Sequence, residues 1–174
     1  MTNFGPSISR RSAIFARLYD LRGDAGSALA ELGVFFSMLV VPLLLGTTDL
    51  ATVVYDSIEI SNAAHAGAVA GAPTSAQAAA TSTIKTAAQA EAADFSSSSV
   101  TVTPTTYYVC NTAQGGTQYS TQSAANTACT SPAYALEFVQ VTVSAPLTLP
   151  FHCCGLPASI TLYSSSVMEV EGQQ

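Results

Sequence analysis

Between Glu31 and Asp49 the chain reads LGVFFSMLVVPLLLGTT, Leu32 to Thr48, seventeen residues without a charge. As an α-helix this stretch is about 25 Å long, the short end of what crosses a bilayer. Gly26 to Ala30, GSALA, extends it if Glu31 is tolerated inside. Four of the five basic residues, Arg10, Arg11, Arg17 and Arg22, precede the stretch, and the fifth is Lys85. Positive charge before a span and none soon after it predicts an N-terminus in the cytoplasm. The rest of the chain then lies across the membrane.

Composition agrees with a membrane-attached, exported chain. Of 174 residues, 48% are hydrophobic and 9% charged, against about 25% charged in an average soluble domain. The net charge of −6 argues against nucleic acid as a partner, since a phosphate-binding groove needs many cations. A cleavable secretory signal fits poorly: about thirty residues precede the apolar core, with Asp20 and Asp24 among them, and Thr47-Thr48-Asp49-Leu50 follows Gly46 in place of a small-x-small site. The Ser9-Arg10-Arg11 triplet lies too far ahead of the core for a twin-arginine signal.

Glu31 does not suit an ordinary anchor. A carboxylate at the bilayer centre costs roughly 2.5–3.5 kcal/mol, so it belongs at an interface or beside a cation. At an interface it also favours a helix N-terminus. Gly26 stands five positions upstream, and a cut after it would make Ser27 the first residue and Glu31 the fifth.

A glycine followed five residues later by glutamate, leading into an apolar helix, resembles the prepilin-peptidase site of type IV pilins and pseudopilins. The segment Arg22 to Ala72 is similar to the TadE-like family, minor pseudopilins of the tight-adherence (Flp) pilus and related secretion machinery. The likeness rests on the basic leader ending at Gly26, the Ala30-Glu31 pair, Pro42 within the span, Asp49 after it, and the small-residue run Asn62-Ala63-Ala64-His65-Ala66-Gly67-Ala68. Leu32 stands where Flp-type prepilins usually carry an aromatic, and His65 and Ala68 stand where the family often has arginine. The resemblance implies cleavage by a prepilin peptidase between Gly26 and Ser27, and assembly with major pilin and other pseudopilins. It also implies that Glu31 sets assembly register by pairing with the new amino terminus of a neighbour. In low dielectric such a pair is stronger than in water, and a misregistered subunit leaves a buried carboxylate unpaired.

The resulting expectation is an α+β chain. Residues 1–26 form a basic cytoplasmic leader, and 27–72 a pilin-like helix containing the transmembrane span, with Pro42 a point of kinking. Residues 73–95 form a second, alanine-rich helix capped by Thr74 or Ser75, and 96–174 an extracytoplasmic antiparallel β module. Beyond the span, Leu50, Val53, Val54, Ile58, Ser61, Ala64 and Ala68 recur at helical spacing, with Asp49, Thr52, Asp56, Glu59 and Asn62 mostly on the other face. Ala64, Ala68 and Ala72 form a row small enough for close helix packing. Ser96 to Ser99 reads as a linker. Strands are expected at Val100–Thr103, at Tyr107–Val109 resuming after Pro104, and at Leu136–Val143, Ile160–Tyr163 and Val167–Val170, three or four of them forming the sheet, with Pro146 and Pro150 in turns.

Cys110, Cys129, Cys153 and Cys154 all follow the span, where an oxidising compartment lets them pair. Three connectivities are open. Cys110–Cys129 would staple a polar loop with little core of its own, and Cys153–Cys154 would be a vicinal bridge. A metal site of His152 and cysteines lacks a C-x-x-C pair. No catalytic fingerprint occurs; His65 reads as a packing or surface residue, and Glu137, Glu169 and Glu171 as solvated strand or tail residues. The expectation is therefore a structural protein with no cofactor or small-molecule substrate, single-pass in a bacterial inner membrane or carried into the pilus. The alternative is an uncleaved signal-anchored envelope protein whose β module binds a ligand or cell wall.

Overall fold

A computed structural model describes residues 26–95, 99–111, 116–151 and 155–171. The leader, Ser96–Ser98, and His152, Cys153 and Cys154 lie outside the described residues. The chain is α+β, with helix α1 (Gly26–Gly71), α2 (Ser75–Ala79), α3 (Thr81–Glu91), β1 (Thr101–Cys110), α4 (Gln122–Ala128), β2 (Ala135–Thr148) and β3 (Ser159–Glu169). Residues up to Thr47 form one compact unit and those from Thr48 onward a second.

In the second unit, the end of α1 packs with α3 and a three-stranded antiparallel sheet of order β1-β2-β3. Val139, Val141, Val143 and Ala145 alternate along the inner face of β2 and meet Ile60, Ala63, Ala64 and Ala68 of α1 and Ile84 and Ala88 of α3 in one buried cluster. Gly67 and Gly71 belong to the same seam. A Cβ on Gly67 would come 2.9 Å from Val141 Cγ1 and 3.2 Å from Ala88, and one on Gly71 would come 3.0 Å from both Ile84 and Val139. The small residues let the helix backbone approach the valine side chains closely.

The face expected from apolar spacing is therefore only partly the packed one. Ala64 and Ala68 are buried, but Leu50, Val54 and Ile58 are 56–58% exposed, while Asp49 is fully buried. From Ala63 to Gly71 small size selects the seam, because bulky side chains there would hold the helix off the sheet, whereas Ile60 one turn earlier is accommodated.

The alanine-rich segment is two helices rather than one. Thr74 caps α2, its hydroxyl accepting from Gln77 N at 3.2 Å. Ala80 leaves helical geometry at φ −79°, ψ 67°, and then restarts the chain by accepting from Thr83 N and Ile84 N. Ile84 and Ala88 of the restarted helix are the residues that seat on Gly67 and Gly71.

Two prolines expected to interrupt strands sit inside them. Hydrogen bonding along the ladders alternates between the two sides of a strand. Asn111 N donates to Tyr134 O in the register that pairs Thr101 with Ser144 and Cys110 with Ala135, so odd-numbered residues of β1 bond to β2. The backbone groups of even-numbered residues face away from β2, as the mutual bonds between Tyr108 and Tyr119 confirm. Pro104 is one of these outward positions, where a missing N–H removes no ladder bond. Pro146 of β2 lies past the Thr101↔Ser144 pair that ends the β1 ladder. Likewise Ile160–Tyr163 and Val167–Val170 fuse into one β3, paired with β2 without a break from Phe138↔Glu169 to Thr148↔Ser159.

The seam makes a direct prediction. Gly67→Val should lower the stability of the second unit by about 1–3 kcal/mol or more through overpacking, whereas Val69→Ala on the exposed side should change it little. Thermal unfolding of the detergent-solubilised chain followed by circular dichroism measures both.

Candidate functional site

The site residues read from the sequence fall on the first unit's helix and in the β module. Gly26 and Ser27 are helical from the first described residue, and Glu31 is exposed one turn on, with Ser27 Oγ donating to its Oε1 at a long 3.5 Å. The helix from Gly26 is apolar and long enough to span a membrane, and its most hydrophobic window is unburied. Leu29, Val34, Met38 and Leu43 each expose more than three-fifths of their surface. A helix this hydrophobic around its circumference is compatible with lipid or other helices as surroundings.

Ahead of Pro42 the α-helical ladder is replaced by a π turn, Phe36–Val40, in which Val41 N–H donates to Phe36 O five residues back. Proline at 42 cannot continue the α ladder and crowds the preceding turn. A wider π turn is one way a helix accommodates such a residue.

The module contains two buried carboxylates whose roles were not evident in the sequence. Asp49 Oδ1 accepts from Phe151 N at 3.1 Å, so the first acid after the apolar stretch ties the segment following β2 to α1. Glu137, 4% exposed, was expected on a solvated face; it points into the module instead. Its Oε2 accepts from Ser75 Oγ at 2.6 Å and its Oε1 from Tyr108 OH at 3.2 Å. Its backbone carbonyl also receives Val170 N at 2.9 Å, and Glu171 N closes onto Ala72 O at 2.8 Å. One strand position thus joins α2, β1 and the end of β3. The available signal was the regular alternation of β2, which places Glu137 on the same face as Val139 and Val141.

Burial, and secondarily the neighbouring Glu137 carboxylate and its hydrogen bond, raise the Tyr108 phenol above its ordinary pKa. Around these groups the geometry ties three elements together, with the Glu137 carboxylate on β2 accepting from hydroxyls of α2 and β1. His65 is exposed on α1. Among the described residues no group of three His, Cys, Asp or Glu is placed to hold a metal.

Cys110 and Cys129 are joined by a disulfide with Cα atoms 5.5 Å apart. The segment it closes carries more structure than its polar composition suggests. Thr121 caps α4 by accepting from Ala124 N. Ala125, Cys129 and Ala135 form a small second core flanked by Tyr108, Tyr119 and Ala133. Cys153 and Cys154 lie outside the described residues.

Three outcomes follow. Glu137→Ala strands the hydroxyls of Ser75 and Tyr108 and should cost about 1–3 kcal/mol in unfolding free energy, where Glu171→Ala costs little. The folded chain holds the Tyr108 proton more tightly than the unfolded one, so this stabilisation is complete below about pH 10 and lost as pH rises through the raised folded pKa. Unfolding midpoints measured on the alkaline side should therefore fall less steeply in Tyr108→Phe. Replacing Cys110 and Cys129 together by serine should lower stability by roughly 3 kcal/mol, seen in denaturant titrations of the oxidised chain against the double variant.

No family model matches the chain, and neither a curated protein nor a solved structure is detectably similar to it.

Proposed function

We propose that the chain is a TadE-like minor pseudopilin, a structural subunit of an Flp-type pilus or related secretion apparatus rather than an enzyme. The observation that carries this reading is Glu31 on the fifth residue after Gly26, at the head of a helix whose large apolar side chains are unburied. An anchor requires the apolar helix but has no use for that carboxylate. A subunit inserted among parallel helices uses it to fix register against a neighbour's amino terminus.

In this reading a prepilin peptidase cuts between Gly26 and Ser27 at the cytoplasmic face, and Ser27 becomes the new amino terminus. Major pilin and other pseudopilins then pack against the apolar helix. The exposed Leu50, Val54 and Ile58 supply a further apolar row beyond the span for such contacts. The β module occupies the periplasmic side of a bacterial inner membrane, a placement supported by the Cys110–Cys129 disulfide, which belongs in an oxidising compartment.

N-terminal peptide mass spectrometry, on membranes of a host with its own prepilin peptidase, tests the reading. The expected result is a peptide beginning at Ser27, with Glu31→Ala processed but lost from assembled fibres or complexes. An intact Met1 together with indifference to Glu31→Ala would identify an uncleaved anchored envelope protein instead. A start beyond Gly46 would identify an exported domain and remove the pilus reading.

A further inference from the structure

The two edges of the sheet are finished differently. At β1 the outward backbone positions are occupied at Tyr108, which exchanges hydrogen bonds with Tyr119, and lack a donor at Pro104. Proline and short covering segments are how natural sheets block unwanted strand pairing. Among the described residues, the edge at β3 has neither. It runs eleven residues, SITLYSSSVME, with no proline or lysine, and its register with β2 contains no bulge.

The direction of its free groups follows from the ladder. Val170 N donates to Glu137 O and Leu149 N to Ala158 O, both in the register of β3 with β2. Even-numbered residues of β3 therefore bond to β2, and the backbone groups of Thr161, Tyr163, Ser165 and Val167 face the open edge. All four side chains are exposed.

We propose that this edge pairs with the β3 edge of a second copy, antiparallel about a two-fold axis at Ser164, continuing the sheet across two chains. Any such two-fold sets odd residues against odd residues, as hydrogen bonding demands. Centred on Ser164, it places Ile160 opposite Met168, Leu162 opposite Ser166, and Thr161 opposite Val167. Ile160, Leu162 and Met168 are only partly buried within one chain, and the pairing covers them on the inner face. The strand's one charge, Glu169, falls opposite Ser159, so the two carboxylates end up at opposite ends of the paired strands. Like charges opposed across strands would destabilise the pair; this register has none. The inference is independent of pilin processing and concerns the module alone.

The test uses the full chain in detergent, with Cys153 and Cys154 replaced by serine. Ser164 and its copy form a non-hydrogen-bonded pair with Cα atoms about 4.5 Å apart, within disulfide reach. Ser164→Cys should cross-link to a dimer under mild oxidation. Thr161→Cys should not, because its copy lies six residues out of register, roughly 20 Å away. Tyr163→Pro removes an outward N–H without touching the β2 ladder, as Pro104 does in β1. It should weaken dimerisation in sedimentation by on the order of tenfold or more, two ladder bonds being lost across the axis. A monomeric chain with no Ser164→Cys cross-link overturns the proposal, as does cross-linking only to another protein. A dimer indifferent to Tyr163→Pro overturns the role of this edge.

Discussion

The contact on which the second unit depends is the approach of the α1 backbone to the valines of β2. At Gly67 and Gly71 there is no room for a methyl group without displacing Val141, Val139 or Ile84. Close approach multiplies the weak dispersion contacts that hold a core together, and it dictates the neighbours. Where the backbones come closest the helix row is alanine and glycine and the facing residues are valine, and α3 enters where Ile84 and Ala88 complete the same surface. The break at Ala80 and the short α2 are then intelligible as the route by which the chain reaches that position.

Polar groups tie the periphery to this seam. Asp49 and Glu137 are both buried carboxylates, and each receives hydrogen bonds from segments distant in sequence. Their value lies in specificity of closure. An apolar replacement could fill the space but would not choose which hydroxyl or amide returns to it. Placed at the start of the module's helix and near the start of its central strand, they hold the ends of a sheet whose middle is held by valine.

Much of this was legible from residue pattern. Seventeen uncharged residues after Glu31 marked the apolar helix, the alternation of Leu136–Val143 marked the central strand, and the Ala64–Ala68 row marked close packing. What escaped were features decided by context. Pro104 and Pro146 looked like strand breakers because a sequence does not show which side of a strand carries its ladder. Glu137 looked solvated because charge usually is, although its parity placed it on the buried face. The row of Leu50, Val54 and Ile58 suggested a core face, but from Ala63 to Gly71 small size chose the seam. Helix α4 was hidden by a polar, alanine-containing loop whose small core forms only with Tyr108 and Tyr119 alongside. Of the candidate residues, Glu31 and Gly26 were readable from spacing, whereas Asp49 and Glu137 needed the fold.

The position of β2 in the chain has a consequence for how the module forms. It is the central strand and the partner of the α1 seam, yet it follows α1, α3 and β1 in sequence. The small-residue row of α1 has no valine surface to meet until β2 is available, and β1 has no ladder. The α1–α3 contacts at Gly67 and Gly71 can form early, but the sheet and its seam wait for a late segment, with nonlocal closure entropy paid before they gain their contacts. Once β2 is present, the short link to β3 favours that hairpin first, and the longer excursion through α4 joins β1 afterwards. A nascent chain emerging N-terminus first would thus hold the sheet-facing side of its helices uncovered until β2 had been delivered.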